Sequence, residues 1–332
     1  MKIKSEWDII AKIRDCVESK GAPKPKDLLM SIGDDCAVFR IGEGRFGLLS
    51  TDMFIENVHF RRDYSQPEDA GFKAMMANIS DIAAMGGECR YALVSCGIPA
   101  GEDEEYVLRV YDGLTEAAKM AGVPIVGGDI SRTAELTLSI TVYGDAGPSG
   151  AILRSTAQPG NYIYCTGHIG SSQGGLEVFM HGSGPEKEKW KSLVDRHTRP
   201  VARYNITYDI KGQFKPTSMI DISDGLLSDL NHIADESGRG FLLYGDTLPV
   251  SAELRNYAAS KGADPIEYAL KSGEEYELLF TSDLFISETV QMIINDIPVT
   301  LIGEITESGR KIERHGKITE AGTAGYDHFR EA

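Results

Sequence analysis

The chain has 332 residues, 42% of them apolar and 25% charged, and its 34 Lys+Arg stand against 50 Asp+Glu for a formal net charge of −16. This is a globular composition, and the length is enough for two domains with separate cores. So negative a field excludes nucleic acid and anionic membranes as partners, and it admits a nucleotide only where metal ions supply positive charge locally.

Ser5, with Asp8 three residues on, starts a helix on which Trp7, Ile10, Ile13 and Val17 recur at helical spacing. Strands follow at 36–41 and 46–51, joined by Gly42-Glu-Gly44-Arg-Phe-Gly47. Those glycines match G-x-G-x-x-G letter for letter. A strand and not a helix comes after them, so they make a hairpin turn and no dinucleotide site. Pro67 opens a helix that runs to Met85 and stops at Gly86-Gly87. A strand at 91–98, a helix at 102–121, a short strand at 123–126 and a longer one at 136–143 complete the first half. Gly, Asp, Pro and Ser crowd the stretch from Gly144 to Gly150, which places a domain boundary between 147 and 148. The second half restarts with a strand at 162–166, a helix from Ser171, a strand at 219–222 and a helix at 224–236. Further strands are expected at 241–244, 276–280 and 298–302. Strands and helices interleave in both halves, which is the pattern of two mixed α/β domains. The five cysteines form no C-x-x-C pair and read as reduced thiols. With a charged start and no long apolar run, the expected location is the cytoplasm.

Aspartate recurs beside Gly, Ser or Thr in short apolar settings. A buried carboxylate is costly unless a cation compensates it, and hard divalent ions such as Mg²⁺ take oxygen ligands of this kind. No P-loop and no H-R-D or D-F-G set occurs, so phosphoryl chemistry here would rely on metals in place of a Walker lysine. Asp34 and Asp35 precede a strand. A turn role explains one of them, and metal binding suits Asp35 better than Asp34. Ser50, Thr51 and Asp52 end an apolar strand, as either a metal-bound phosphate site or a loop start would. Asp81 lies in the last turns of a helix, at the unfavourable end of its dipole and among small apolar residues, which favours a metal ligand over a surface carboxylate. Gly127-Gly128-Asp129 follows the short strand, where glycines let a ligand reach the backbone and the aspartate can hold its metal. Asp221 and Ser223 share a face at a strand end, and Asp224 suits a helix N-cap, a role compatible with metal binding. The run from Gly167 to Gly175 reads either as a phosphate-accepting helix start or as a plain loop. His59, on local grounds, is as well read as a core histidine as a ligand.

Taken in order, Gly33-Asp-Asp-Cys-Ala, Ser50-Thr-Asp52, Ser80-Asp-Ile-Ala-Ala-Met-Gly, Gly127-Gly-Asp129, Asp221-Ile-Ser-Asp-Gly-Leu, Ser272-Gly-Glu-Glu-Tyr-Glu-Leu and Gly325-Tyr-Asp-His-Phe329 resemble the thiamine-monophosphate kinase family. That family belongs to the superfamily of aminoimidazole ribonucleotide synthetase, and the resemblance covers essentially the whole chain. It implies a two-domain α/β (mixed α+β) fold with an N-terminal ATP/Mg-binding and dimerisation domain, 1–147, and a C-terminal α/β domain, 148–332. It implies transfer of the γ-phosphate of ATP to thiamine monophosphate, several Mg²⁺ ions, and a homodimer built by the N-terminal strands. Position by position it makes Asp35, Ser50, Thr51, Asp52, Asp81, Asp129, Asp221 and Asp224 the metal ligands. Tyr111, Gly128, Asp129, Arg154 and Ser223 would contact ATP, and His59, Glu274 and Tyr326 the thiamine end. The family often carries Trp where Tyr326 stands and Glu-Asp where Glu274-Glu275 stand; both changes keep the chemistry, since a tyrosine still stacks on a flat heteroaromatic ring.

An acceptor that is itself a phosphate, with a second pKa near 6, is already largely ionised at neutral pH. No general base or covalent nucleophile is then expected, and direct in-line transfer without an aspartyl-phosphate is. The alternatives are another ATP-dependent enzyme of the same superfamily and a non-catalytic acidic cation-binding protein.

Overall fold

The computed structural model describes residues 3, 5–21, 23–286, 292–322, 325–326 and 328–329, so Asp327 of the closing motif lies outside the described residues. Helix α1 (Glu6–Ser19) begins where Ser5 and Asp8 place it, although Ser5 makes no side-chain cap. A short strand β1 (Leu28–Met30) pairs with β2 (Ala37–Gly42), and the glycine turn joins β2 to β3 (Arg45–Ile55) as the expected hairpin, with Gly44 at φ 61°. Helix α2 (Pro67–Ala84), β4 (Glu88–Pro99), α3 (Glu104–Met120), β5 (Ile125–Thr133) and β6 (Thr137–Ala146) complete a six-stranded sheet ordered β1-β2-β3-β6-β4-β5. Its pairs are antiparallel except β4 with β5.

Strand alternation gives this sheet two unlike faces. Leu138, Ile140 and Val142 of β6, Ala92 and Val94 of β4 and Leu48 of β3 are buried in one core with the apolar side chains of α2. On the opposite face Leu49, Met53, Tyr91 and Leu93 are exposed. Helices α2 and α3 meet backbone to backbone. A Cβ on Gly71 would stand 1.9 Å from the Val110 carbonyl, and one on Gly113 would stand 1.8 Å from that of Glu68. The end of α2 leaves this core: Ala83 and Ala84 pack with Ile206, Phe214, Leu278 and Phe280 of the second half. Asp81 is thereby carried to the junction of the two halves.

The second half runs β7 (Tyr162–Thr166), α4 (Ser171–His181), α5 (Gly184–Lys189), α6 (Lys191–Thr198), α7 (Thr207–Phe214), β8 (Ser218–Asp221) and α8 (Leu226–Ser237). It continues with β9 (Gly240–Tyr244), α9 (Ala252–Lys261), α10 (Pro265–Lys271), β10 (Leu278–Ser282), β11 (Met292–Ile294), β12 (Ile297–Thr306), β13 (Arg310–Arg314) and β14 (Lys317–Glu320). The sheet is ordered β14-β13-β9-β12-β7-β10-β8 with β11 on β12, and β13 with β9 is its parallel pair. Two mixed sheets with helices are the fold expected from the sequence. Helices α5, α6, α7, α9 and α10 are not in that expectation, because segments of 6 to 10 residues are too short to show helical periodicity clearly. Among the described residues no helix is long and apolar enough to cross a membrane.

Candidate active site

Three carboxylates converge where α2, the loop before β2 and the end of β8 meet. Oxygens of Asp35, Asp81 and Asp221 lie within 4.8 Å of one another. Hydroxyls orient two of them: Ser50 Oγ donates to Asp81 Oδ2, and Ser80 Oγ donates to Asp221 Oδ2 at 2.5 Å. The Asp52 amide donates to Asn78 Oδ1 at 3.1 Å, which fixes β3 against α2. Arg154 is the cation packed here, paired with Asp35 and 3.7 Å from Asp34 Oδ1. Asp34 also accepts the amides of Asp35 and Arg154, which makes it the turn residue of the pair.

These carboxylates outnumber the cation, and their proton affinities record it. Burial, with the charge of Asp35, raises Asp221 to about 8. Burial, then Asp52 and Asp221, pushes Asp81 well above the usual range. Asp52 keeps solvent access, yet the protein around it and the Asp35 charge raise it to about 6. Asp35 Oδ2 is buried with no hydrogen-bond partner. An orphaned buried oxygen among uncompensated carboxylates and hydroxyls is a hard donor set, and it fits Mg²⁺.

A second group, Asp224, Asp229 and His232, also brings its ligand atoms within 4.8 Å. Here the expected N-cap is corrected. Helix α8 starts after Gly225, and Asp229, one turn inside, accepts the Gly225 amide at 3.0 Å. At φ 124° Gly225 adopts a backbone that no N-cap aspartate would favour, which shifts the helix start one residue past Asp224.

Of the residues expected at the thiamine end, Glu274 and His59 lie beside Lys73 of α2. Its Nζ lies 2.6 Å from Glu274 Oε2, and burial, followed by His328 and then Lys73, lowers His59 to about 4. The His59 and His328 rings stand 5.3 Å apart, and those of Tyr326 and His328 4.9 Å. Ser223 holds the segment, its carbonyl accepting the Glu274 amide at 2.7 Å, while the Tyr326 amide donates to Asp224 O at 3.0 Å. Lys73 carries no role in the sequence reading, although a lone cation inside Ala-Gly-Phe-Lys-Ala-Met-Met-Ala is an available signal.

Other expected site residues land elsewhere. Gly127-Gly128-Asp129 does not follow a strand but lies within the exposed edge strand β5, where parallel pairing with β4 overrides the low strand propensity of glycine. Gly128 and Asp52 share one cross-strand row through Ile140 and Val94, three strand steps apart, which is about 14 Å. Tyr111 of α3 sits near Cys96, the partner of Ile130, and so belongs with Gly128 and Asp129 at this edge. Within one chain Gly128 and Asp129 do not join the carboxylates. Thr51 is placed between Ser50 and Asp52 and therefore on the other face, its hydroxyl donating to Ile140 O at 3.0 Å and accepting from Thr141. The Gly167–Gly175 run has its helix start filled from within: the amides of Gly170 and Ser172 both donate to Glu275 Oε1, at 2.8 and 3.0 Å.

The two halves match the family models for AIR synthase related proteins, the N-terminal domain over 33–146 and the C-terminal domain over 158–316. That is the class the paired sheets and the carboxylate junction define. The chain is 36% identical to the thiamine-monophosphate kinase of Aquifex aeolicus over 99% of both chains. It is 33% identical to that of Bacillus subtilis over 91% of this chain and 94% of the relative. A solved structure described as AaThiL complexed with AMPPCP and TMP superposes with a TM-score of 0.85 at 33% identity over 99% of each chain. The chain belongs to the thiamine-monophosphate kinase family.

Proposed function

We propose that this chain transfers the γ-phosphoryl group of ATP to thiamine monophosphate, giving thiamine diphosphate and ADP. The observation that carries the reading is the junction of Asp35, Asp81 and Asp221, an oxygen-rich site short of positive charge in a chain of this family. The AaThiL complex with AMPPCP and TMP, read as an ATP analogue and thiamine monophosphate, supports the two substrates.

In this reaction an oxygen of the acceptor phosphate attacks Pγ, and the bond from Pγ to the bridging oxygen breaks, leaving its electron pair on ADP. The acceptor is already ionised, so no side chain need take a proton. The main obstacle is repulsion between two polyanions. Mg²⁺ held by Asp35, Ser50, Asp52, Asp81, Asp221 and Asp224, with Asp129 supplied by the second copy, would neutralise phosphate oxygens and set them in line. Ser50 and Ser80 fix the orientation of Asp81 and Asp221. Arg154 and Ser223, beside this cluster, are assigned to ATP. His59, Glu274 and Tyr326 line the acceptor end. Release of ADP should be strongly preferred with thiamine monophosphate over free thiamine and aminoimidazole precursors; equal rates with all three would sink the reading. Inversion at a chiral γ-phosphorus is expected, and retention would mean an enzyme-bound phosphate.

The residues 1–147 and 148–332 are the proposed domains, and the proposed location is the cytoplasm, consistent with five free cysteines. The proposed assembly is a homodimer joined through the open sheet face of the first half. It gives Tyr111, Gly128 and Asp129 of one copy a route to the carboxylates of the other. Mixing Asp81→Asn with Asp129→Asn, each inactive alone, should then restore about a quarter of full activity, because half of the dimers are mixed and one of their two sites is intact. No recovery after verified subunit exchange would confine each site to one chain.

A further inference from the structure

Lys73 is only 3% exposed on α2, most of whose residues are buried, and its neighbours Ala70, Gly71, Phe72, Ala74, Met75 and Met76 are buried too. An ammonium in such a place is unfavourable unless it is paired. Its ion-pair partner is Glu274, from the other half of the chain.

The loop around Glu274 is built to present that side chain. Glu274 and Tyr276 both adopt left-handed backbone, at φ 57° and 50°, a conformation that costs non-glycine residues energy and persists where the surroundings enforce it. The flanking carboxylates are engaged elsewhere. Glu275 accepts the amides at the start of α4, and Glu277 is held by Arg196, Arg203 and Thr166. Glu274 alone of the three keeps substantial solvent access, its side chain 30% exposed against 0% for the others. Lys73 Nζ and His197 Nδ1, at 2.6 and 3.7 Å, both lie on Oε2, which leaves Oε1 to accept from a ligand.

Distance decides which end of the acceptor this pair serves. Lys73 and Asp81 are eight residues apart on α2, a rise of about 12 Å along the axis. A phosphate at Asp81 is therefore out of reach of the Lys73–Glu274 pair, while the heteroaromatic end of a bound thiamine monophosphate would arrive there. We propose that Lys73 is a positioning residue for acceptor recognition, its buried ammonium holding Glu274 so that Oε1 accepts the amino hydrogen of the acceptor's pyrimidine. The inference rests on the proposed thiamine monophosphate reading.

The test compares Lys73→Met, Lys73→Arg, Glu274→Gln and the double variant Lys73→Met/Glu274→Gln in the full-length protein. For Lys73→Met the acceptor KM, and the Kd of thiamine monophosphate by calorimetry, should rise about 10- to 100-fold. Its kcat and its KM for ATP should stay within about threefold of wild type, and Lys73→Arg should recover most of the loss. Free thiamine should lose affinity by the same factor as the phosphate ester. A loss confined to the phosphate ester, or one that falls on kcat, would place Lys73 at the phosphates and overturn the proposal. The double variant removes both charges and so guards against misfolding of Lys73→Met. It should match Glu274→Gln in acceptor KM, and a further loss would show that Lys73 does not act through Glu274. A wild-type protein that releases no ADP with thiamine monophosphate fails earlier and separately, at the reading of function.

Discussion

Two sets of buried carboxylates in this molecule are treated in opposite ways. In the loop before β10, Glu277 meets Arg196, Arg203 and Thr166, and Glu275 meets two backbone amides, Ser272 and Arg196. At the junction of the halves, Asp35, Asp81 and Asp221 crowd together with Arg154 packed among them as the cation, and Asp35 Oδ2 is left without a partner. Both sets are inside the protein, so burial does not separate structure from function. Partnership does: a matched carboxylate holds the fold, and an unmatched one waits for a ligand's charge.

The strongest way to break this contrast is Asp81→Asn. Turnover should fall by about a thousandfold or more, because the proposed role of Asp81 is to hold Mg²⁺ against charge that develops in the reaction. The metal-free variant should melt no lower than wild type, since the substitution removes an uncompensated charge; near-normal activity at saturating Mg²⁺ would take Asp81 out of the metal set. Glu277→Gln should do the reverse. It breaks a buried, fully paired group, for which about 3–5 kcal/mol of stability is expected to go, read from denaturant or thermal unfolding. The Mg²⁺ dependence of any folded fraction should not change, and a shift in it would erase the distinction between the two regions. A smaller effect lies beside the matched loop, at His197. Burial, with Lys73, lowers it from 6.5 to about 3. The unfolded chain takes up a proton there below pH 6.5 while the folded chain does not until about 3, so this contribution is present above pH 6.5 and is lost as pH falls through that window. His197→Gln should flatten the acid side of the stability profile by up to about 1.4 kcal/mol per pH unit, and an unchanged slope would mean that His197 is not held neutral.

The unmatched set is legible in the sequence, because aspartates beside Gly, Ser and Thr in apolar runs are local signals. Strand alternation also separates Ser50 and Asp52 from Thr51, and the two-residue period alone is enough to put the Thr51 hydroxyl on the far face. The matched set is not legible. Glu277 and its arginines are more than seventy residues apart, and no spacing rule joins them. The place of Asp129 is hidden because β5 owes its length to pairing with β4, a tertiary contact that two glycines conceal. The start of α8 is ambiguous in the sequence for a different reason. Asp224 is the side chain the sequence offers as the cap, and only the positive-φ backbone of Gly225 moves the start past it and leaves Asp229 to accept the Gly225 amide.

The glycine contact between α2 and α3 has a consequence for motion. With Gly71 against Val110 O and Gly113 against Glu68 O, the two helices have no side-chain layer between them to slip. They form one stiff block carrying Lys73, Asp81 and Tyr111. The spacing between these three residues is then the same with or without ligand, so substrates must fit a frame that is already set.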